Sequence, residues 1–341
     1  MKKLIKTIQS FSKLNVLVIG DLILDEYIWG DVDRISPEAP VPVVWARKRS
    51  FVPGGAANVA NNLRSFSART SLAGVVGSDA NRAIMLKELS GRGINTGAVV
   101  SEAGRHTTLK SRVFARHQQL VRIDWEHLNP IRQTTQARLL TFVARNVKKF
   151  DAVIIEDYGK GLFTNGFLKE VIGCARRAGK IVTVDPKEEN FESYQGVDAI
   201  TPNRKEMQNA VRYLKMKDAA NRFKIYKDTL ETDAEIRSAG YAILNHLDVT
   251  SLLITLGEQG MWLFEQKTDR HISTVAQEVF DVSGAGDTVI AAFTLGLCAG
   301  ASPSEAAHIA NFAAGIVVGK VGTATTTRAE LIERIKKFHA Q

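Results

Sequence analysis

Five short apolar runs recur between helical patterns along this chain of 341 residues, and they constrain its fold more than any other feature. The runs are VLVIG at 16–20, AVIIED at 152–157, IVTVD at 181–185, AITPN at 199–203 and LLITLG at 252–257. Because they are apolar rather than alternating, they are typical of strands buried on both faces of a parallel sheet. The helical patterns between them supply the crossovers. We therefore predict an α/β fold whose mostly parallel central sheet is covered by helices on both faces.

Two segments interrupt this alternation of strands and helices. Residues 27–51 and 105–123 contain Thr, Val and Pro, alternate partly in polarity and have no helical pattern of their own. They predict a small separate β-sheet. Since ligands of open α/β sheets bind beyond the carboxyl ends of the strands, such a sheet is placed to close over the ligand as a lid. We predict one domain, residues 1–341, that carries these two lid insertions.

The net charge of +9 raises the question of a nucleic acid partner. Lys and Arg interleave with aromatic residues in the segment 212–228, as they do on single-strand binding surfaces. The same segment contains Asp218, Asn221 and Asp228, which favours a solvated insertion between helices. We expect no nucleic acid partner. A non-catalytic nucleic-acid-binding protein on the same fold is the alternative of another functional class.

Cysteine usage and hydropathy indicate the compartment. The two cysteines, Cys174 and Cys298, lie far apart in helical patterns, so neither a disulfide framework nor a CxxC metal site is predicted. No run approaches the roughly 18 apolar residues of a membrane span. Polar residues also interrupt the apolar stretch at 1–24, which is unlike a signal peptide. We therefore expect a cytoplasmic protein without a membrane partner.

Polar residues and glycine gather where the predicted strands end. They are Asp21, Asp25, Asp157, Asp185, Lys187, Asn203, Glu206 and Gly257. Each has an ordinary explanation, since such residues cap helices and form turns. Their convergence on one edge of a parallel sheet nevertheless predicts a functional cleft.

Glycine stands directly before two helical patterns, in DVSGAGDT at 281–288 and PGGAANVANNL at 53–63. A helix start with such small residues exposes unpaired N–H groups and attracts anions. Asp287 lies in the first turn of the later helix, where its charge would repel a bound phosphate unless the carboxylate has a chemical role. An ordinary acidic first turn is the alternative.

The earlier of these helices offers a second set of ligand contacts. Gly54 and Gly55 let the backbone approach a ligand closely, and Asn58 can donate or accept hydrogen bonds one turn later. Phosphoryl transfer uses such parts. A carboxylate deprotonates or orients the attacking hydroxyl, while N–H donors and Mg²⁺ neutralise the phosphates.

Other nucleotide and metal motifs are missing from the sequence. GIVVGKVG, from Gly315, has one residue too few between its glycines for a phosphate loop, and Val321 replaces the Ser or Thr that would meet magnesium. No G-x-G-x-x-G follows the first strand, which argues against dinucleotide binding. No histidine or cysteine cluster indicates zinc, and no G-x-S-x-G indicates a hydrolase.

DVSGAGDT closely resembles the second signature of the ribokinase and PfkB sugar kinases, and GGAANVANNL resembles the first. The motifs stand in the expected order, and the resemblance covers essentially the whole chain. It implies a ribokinase-like fold and a sugar kinase that uses ATP and Mg²⁺. Ser283 stands where the signature commonly has threonine, and it keeps the hydroxyl.

The resemblance also implies roles for individual residues. Asp287 is the expected catalytic base, and the N–H groups of Gly284, Ala285 and Gly286 are expected to form an anion hole for the γ-phosphoryl group. The expected sugar-side contacts are Asp21, Asp25, Gly54, Gly55 and Asn58. The expected contacts to a phosphate on the substrate are Lys187 and Arg122. The expected nucleotide-side contacts are Asn203, Glu206, Thr255, Gly257, Gly260, Ser283 and Asn311, with Glu206 binding magnesium through water.

More particular segments resemble the heptose 7-phosphate kinases of this family. They are GDLILDEYIWGDVDRISPEAPVPVV, RHQQLVRID, EDYGKG, DPK and TPNRKE. This likeness implies ATP-dependent phosphorylation of D-glycero-D-manno-heptose 7-phosphate at O1, on the way to ADP-heptose and the lipopolysaccharide core. Kinases for fructose 6-phosphate, fructose 1-phosphate or a nucleoside are the alternatives, because the fold alone does not exclude them.

Two expectations concern assembly. Bifunctional relatives append a nucleotidyltransferase domain, but no H-x-G-H segment precedes the end at Gln341, so we expect only the kinase step. Exposed edge strands rarely stay unprotected, so we also expect a homodimer in which the two lid segments pair across subunits or shield each other. The expected small-molecule partners are the sugar phosphate and ATP.

Overall fold

The structure is a computed structural model that describes residues 1–116, 118–217, 225, 228–276 and 278–338. The strands within these ranges are β1 Asn15–Gly20, β2 Leu22–Ile35, β3 Pro42–Gly55, β4 Arg69–Val76, β5 Asn95–Ser101, β6 Thr108–Ala115, β7 Gln118–Trp125, β8 Ala152–Glu156, β9 Ile181–Asp185, β10 Ala199–Ile200, β11 Ser251–Thr255, β12 Met261–Glu265 and β13 Thr268–Ile272. The helices are α1 Lys2–Ser10, α2 Ala56–Ser65, α3 Ala80–Gly91, α4 Gln133–Asn146, α5 Asn165–Arg177, α6 Arg204–Lys217, α7 Asp233–Leu247, α8 Ala285–Cys298, α9 Pro303–Val317 and α10 Arg328–Phe338.

Nine of the described strands form the central sheet, in the order β13-β12-β11-β10-β9-β8-β1-β4-β5. The pairs from β11 through β5 are parallel, whereas β11–β12 and β12–β13 are antiparallel at one edge. Parallel strands need helical crossovers, and these place helices on both faces of the sheet. The predicted α/β fold with a mostly parallel central sheet is confirmed.

The core lies on both faces of this sheet, as strand β1 shows. Leu17 and Ile19 pack into an apolar cluster that includes side chains of α4, α5, α6 and α7. The alternate residues Val16 and Val18 pack on the opposite face, with side chains of α1, α2, α3, α8, α9 and α10. All four β1 side chains are fully buried, which explains why the strand is an unbroken apolar run.

A second sheet has the strand order β3-β2-β6-β7, and we call it the small sheet. Its strands contain most of the segments 27–51 and 105–123, so the prediction of a separate small sheet is confirmed. It joins the rest of the fold at two short junctions. Asp21 alone separates β1 from β2, and α2 begins at the residue that follows the end of β3. The Ala56 N–H donates to the Asp21 carbonyl at 3.1 Å, so the two junctions contact each other.

The sequence did not reveal four strands of the central sheet, which are β4, β5, β12 and β13. In β4, RTSLAGVV, the polar residues Thr70 and Ser71 are buried, so the strand lacks the apolar run that identified its neighbours. The β12–β13 hairpin is antiparallel, and the alternation in β13 includes exposed charged residues. Tertiary pairing therefore overrides the local pattern at both edges of the sheet.

Two predictions concern surfaces rather than the core. Helix α6 extends to Lys217, and residues 218–224, 226 and 227 of the basic segment 212–228 lie outside the described residues. The Arg212 guanidinium binds the Asp228 carboxylate at 2.7 Å.

Among the helices that the structure describes, none combines the length and the apolar character that a membrane crossing requires.

Candidate functional site

The site begins at the start of helix α8. Gly284 is the N-cap residue and has φ of 76°, in the left-handed region that favours glycine. A Cβ atom at this position would lie 2.7 Å from Asn58 Nδ2, so the close approach of α2 also requires glycine. The turn therefore presents backbone and no bulky side chain to a ligand at the positive end of the helix. The Ala285 N–H donates to the Val282 carbonyl at 3.2 Å, so this group is used within the turn and is not free for the anion hole that the resemblance implies.

Asp287 lies in the first turn of α8, and it is 4% exposed. Asn58 Nδ2 donates to its Oδ2 atom at 2.6 Å, and the Tyr158 hydroxyl donates to Oδ1 at 3.1 Å. Burial raises the pKa of Asp287 to about 6, although both hydrogen bonds act in the opposite direction. A carboxylate with this pKa is suited to accept a proton near neutral pH.

Two neighbouring cavities meet at this helix start. The smaller, of about 290 Å³, is lined by Asp157, Tyr158, Asp185, Lys187, Thr201, Asn203, Glu206, Thr255, Gly284, Gly286 and Asp287. The larger, of about 680 Å³, is lined mostly by apolar residues, together with Thr255, Gly257, Gly260, Ala285, Gly286 and Asn311. Both lie at the carboxyl edge of the central sheet, and Thr255 and Gly286 belong to both. The arrangement fits a flat apolar group in one cavity and a charged chain that reaches Asp287 in the other.

Several acidic side chains surround the smaller cavity. Oxygen atoms of Glu156, Asp185 and Asp287 lie within 4.8 Å of one another. Burial and the neighbouring carboxylates raise the pKa of Glu156 and of Asp185 well above their usual ranges, and burial also raises the pKa of Glu206. Within the part of the chain that the structure describes, neither Glu156 carboxylate oxygen has a hydrogen-bond partner. Such a set of oxygens fits a hard divalent cation such as Mg²⁺.

Asn203 and Glu206 also cap helix α6. The Asn203 N–H donates to Glu206 Oε2 at 2.8 Å, and the Glu206 N–H donates to Asn203 Oδ1 at 3.0 Å. Asn203 and Glu206 therefore have the helix-capping role that the sequence left open as the ordinary explanation. It does not remove either residue from the cavity, because both residues line it.

The predicted sugar-side residues lie where the small sheet joins the central sheet. Asp21 Oδ2 accepts hydrogen bonds from the backbone N–H groups of Tyr158 at 2.9 Å and Lys160 at 3.1 Å. Burial, with a smaller effect of Asp157, raises the pKa of Asp21 to about 7. The Arg112 guanidinium binds Asp25 Oδ1 at 2.6 Å.

Glycines and Asn58 complete this corner of the site. A Cβ atom at Gly54 would collide with the Asp25 carboxylate, and Gly55 has φ of 56°. Asn58 is fully buried and donates to Asp287, so it orients the carboxylate and is not free to use the same N–H on a ligand. The sequence predicted a ligand contact for Asn58, and the structure adds this contact to Asp287.

Three predicted residues lie apart from the groups described so far. Lys187 lines the smaller cavity, where its Nζ atom lies 2.9 Å from Glu188 Oε2, so it is on the side of Asp185 and Glu206. Arg122 has a 52% exposed side chain, binds Asp124 at 3.0 Å and lines neither cavity. Ser283 is exposed, and its N–H donates to Asp281 Oδ1 at 2.9 Å.

The structure also reveals residues that the sequence reasoning did not select. Arg112 is paired with Arg122 in the β6–β7 register, and it is Arg112 that reaches Asp25. Tyr158 belongs to the segment EDYGKG but was not singled out, although it contacts Asp287 directly. Glu156 was not selected either, although it ends β8 in register with Asp185, which the sequence had placed at the predicted cleft.

The chain is similar to known proteins in sequence and in structure. A family model described as pfkB family carbohydrate kinase matches residues 13–330. The bifunctional protein HldE of a Nitratiruptor species is 42% identical over 321 residues, which are 94% of this chain and 65% of that protein. The chain thus spans less than two thirds of the length of this relative.

Solved structures share the fold at low sequence identity. The ribokinase of Arabidopsis thaliana complexed with ribose and ATP has a TM-score of 0.71 and 20% identity, covering 95% of this chain and 99% of its own. The tetrameric inhibited form of phosphofructokinase-2 from Escherichia coli has a TM-score of 0.73 and 16% identity, covering 96% and 99%. These likenesses show the ribokinase-like architecture.

Proposed function

Because the chain belongs to the pfkB family of carbohydrate kinases, we propose that it transfers the γ-phosphoryl group of ATP to O1 of D-glycero-D-manno-heptose 7-phosphate. The observation that carries the proposal is the buried Asp287 carboxylate at the glycine-led start of α8, where the two cavities meet. The segments that resemble heptose 7-phosphate kinases support the choice of sugar. The apolar cavity of about 680 Å³ supports a nucleotide as the donor, since it is large enough for a base and ribose.

Each group has a place in the transfer. Asp287 accepts the proton of the sugar O1 hydroxyl, the new O1–P bond forms, and the bond between the γ-phosphorus and the β,γ-bridging oxygen breaks so that ADP leaves. The backbone N–H groups of Gly284 and Gly286 stabilise the charge on the transferring group, since the Ala285 N–H is bonded within the turn. Mg²⁺, when bound with ATP, would neutralise phosphate charge. Glu156 and Asp185 would hold it, together with Glu206 through water. Asp21 and Asp25 accept hydrogen bonds from sugar hydroxyls.

The reaction is tested by phosphorus NMR of the product. The protein is incubated with ATP and magnesium and, in separate samples, with heptose 7-phosphate, unphosphorylated heptose, fructose 6-phosphate or fructose 1-phosphate. An anomeric phosphate signal that forms only with heptose 7-phosphate is the expected result. Faster turnover of a fructose phosphate or of a free sugar would overturn the proposed substrate and leave the carbohydrate kinase assignment in place.

The pH dependence follows from the environment of Asp287. Because burial raises its pKa to about 6 and the base must be deprotonated, kcat/KM is expected to rise with pH up to about 6 and to level off above it. Each pH unit below the pKa should lower kcat/KM about tenfold. Initial rates between pH 4.5 and 9 measure this profile. Activity that stays constant down to pH 5 would contradict the assignment.

A homodimer through the small sheet is the expected assembly. On β7, Val121, Ile123 and Trp125 are 47%, 45% and 55% exposed, and they alternate with the charged residues Arg122 and Asp124. One face of this strand is therefore apolar and uncovered, which favours pairing with a second copy. Sedimentation at micromolar concentration should show a dimer, and Ile123→Glu should shift it towards monomer. Monomer alone in the unsubstituted protein would remove this expectation.

A further inference from the structure

Tyr158 connects two of the acidic groups at the site. Its hydroxyl donates to Asp287 Oδ1 at 3.1 Å, and its backbone N–H donates to Asp21 Oδ2 at 2.9 Å. Its side chain also lines the smaller cavity. One residue therefore holds the expected base and also binds the carboxylate at the junction of the two sheets.

The orientation of Asp287 depends on such donors. The torsion that rotates an aspartate carboxylate about its Cβ–Cγ bond has a broad, two-fold profile, so it does not fix the plane of the oxygens. Asn58 donates to Oδ2 and Tyr158 donates to Oδ1, so the two donors together fix that plane. Each carboxylate oxygen has a further lone pair, which leaves Asp287 able to accept the proton of a substrate hydroxyl.

The backbone around Tyr158 is itself held in place. The turn that follows contains Gly159 and Gly161, with φ of 65° and 82°, and a Cβ atom at Gly161 would collide with the Asn129 carbonyl. Lys160 donates its N–H to Asp21 and places its Nζ atom 2.9 Å from Glu126 Oε2. These contacts hold the start of the turn against the central sheet and against the segment that follows β7.

We propose that Tyr158 is a positioning residue for Asp287, whose hydroxyl orients the carboxylate for proton transfer. The inference rests on the proposed role of Asp287 as the base. A reacting group displaced by about 1 Å loses up to 100-fold in rate. Because Asn58 still holds Oδ2 in the variant, we expect a smaller loss, of about tenfold.

The test compares two isosteric changes. Tyr158→Phe removes only the hydroxyl on Asp287. Tyr241→Phe removes a hydroxyl from another partly buried tyrosine, which also donates to an aspartate, Asp269, at 3.1 Å but lines neither cavity. For Tyr158→Phe we expect kcat to fall about tenfold, with the KM values for ATP and sugar changed less than twofold. For Tyr241→Phe we expect a lowered melting temperature, with kcat within threefold of the unsubstituted protein.

Several outcomes would overturn the inference. They are kcat of Tyr158→Phe within twofold of the unsubstituted protein, an equal loss of kcat in both variants, or an effect on KM alone. If the unsubstituted protein phosphorylates none of the sugars, the proposed function fails. The positioning role of Tyr158 is then tested by a crystal structure of Tyr158→Phe. The Asp287 carboxylate should be rotated or in several conformations in Tyr158→Phe. An orientation identical to that of the unsubstituted protein would overturn the positioning role.

Discussion

Replacing Asp287 with asparagine should lower kcat by at least about 100-fold, the scale of losing a positioned base. The side chain keeps its size and can still contact Asn58 and Tyr158, so ATP affinity should change little. Steady-state kinetics and equilibrium binding of ATP measure the two effects separately. Asp79→Asn is a suitable control because Asp79 caps helix α3 and lines neither cavity. A loss smaller than about fivefold would show that Asp287 is not the base.

At alkaline pH, Asp287→Asn should be at least as stable as the unsubstituted protein. The pKa of Asp287 is about 6 in the folded protein, above its usual value of 3.8. Between these values the folded state binds more protons than the unfolded state, so this group lowers stability as pH rises. Asparagine has no charge to bury, and its melting temperature at pH 8 should match or exceed that of the unsubstituted protein. A loss of activity then cannot be attributed to unfolding.

Removing the phosphate from the sugar should lower kcat/KM by at least about tenfold for each charge-assisted contact that is lost. With two such contacts, kcat/KM for heptose would be almost 100-fold lower than kcat/KM for heptose 7-phosphate. Of the two cations predicted for this phosphate, Lys187 lies on the side of Asp185 and Glu206, whereas Arg122 is in register with Arg112 on β6. The Arg112 guanidinium binds Asp25, one of the expected sugar contacts. The phosphate requirement is therefore expected to depend on this pair of strands.

The experiment pairs both substrates with both arginine variants. Arg112→Gln should reduce kcat/KM strongly for heptose 7-phosphate and much less for heptose, because only the first substrate carries the anion. The heptose measurement controls for the loss of the Asp25 contact. If Arg122→Gln has this effect instead, the phosphate contacts Arg122. Equal turnover of the two substrates by the unsubstituted protein would contradict the phosphate requirement altogether.

The sequence predicted the parts of the fold that depend on local patterns. Strands buried on both faces were visible as apolar runs, and the helix start before Asp287 was visible from its glycines. The antiparallel hairpin β12–β13 and strand β4 were not visible, because their place in the sheet is set by pairing with neighbours. Local chemistry thus indicated the element types, and tertiary packing decided the edges of the sheet.

Contacts across long sequence separations explain what was missed at the site. Tyr158 and Asp287 are 129 residues apart, and Arg112 and Asp25 are 87 residues apart. Arg112 reaches Asp25 because β2 and β6 pair in parallel, a pairing that no local pattern specifies. For the same reason the sequence did not distinguish Arg122 from Arg112, since the two stand in register on neighbouring strands.

The two junctions of the small sheet have a consequence for how this enzyme could change its acceptor. Strands β2 and β3 are each 14 residues long, and they are anchored at Leu22 and Gly55, beside the expected sugar contacts. Their distant ends meet at an exposed turn, residues 36–41. A strand of 14 residues spans roughly 45 Å, so that turn lies well beyond the reach of a sugar phosphate held beside Asp21, Gly54 and Asn58. A change of acceptor would therefore have to arise near the two junctions, whereas the turn at 36–41 is free to vary without altering the chemistry.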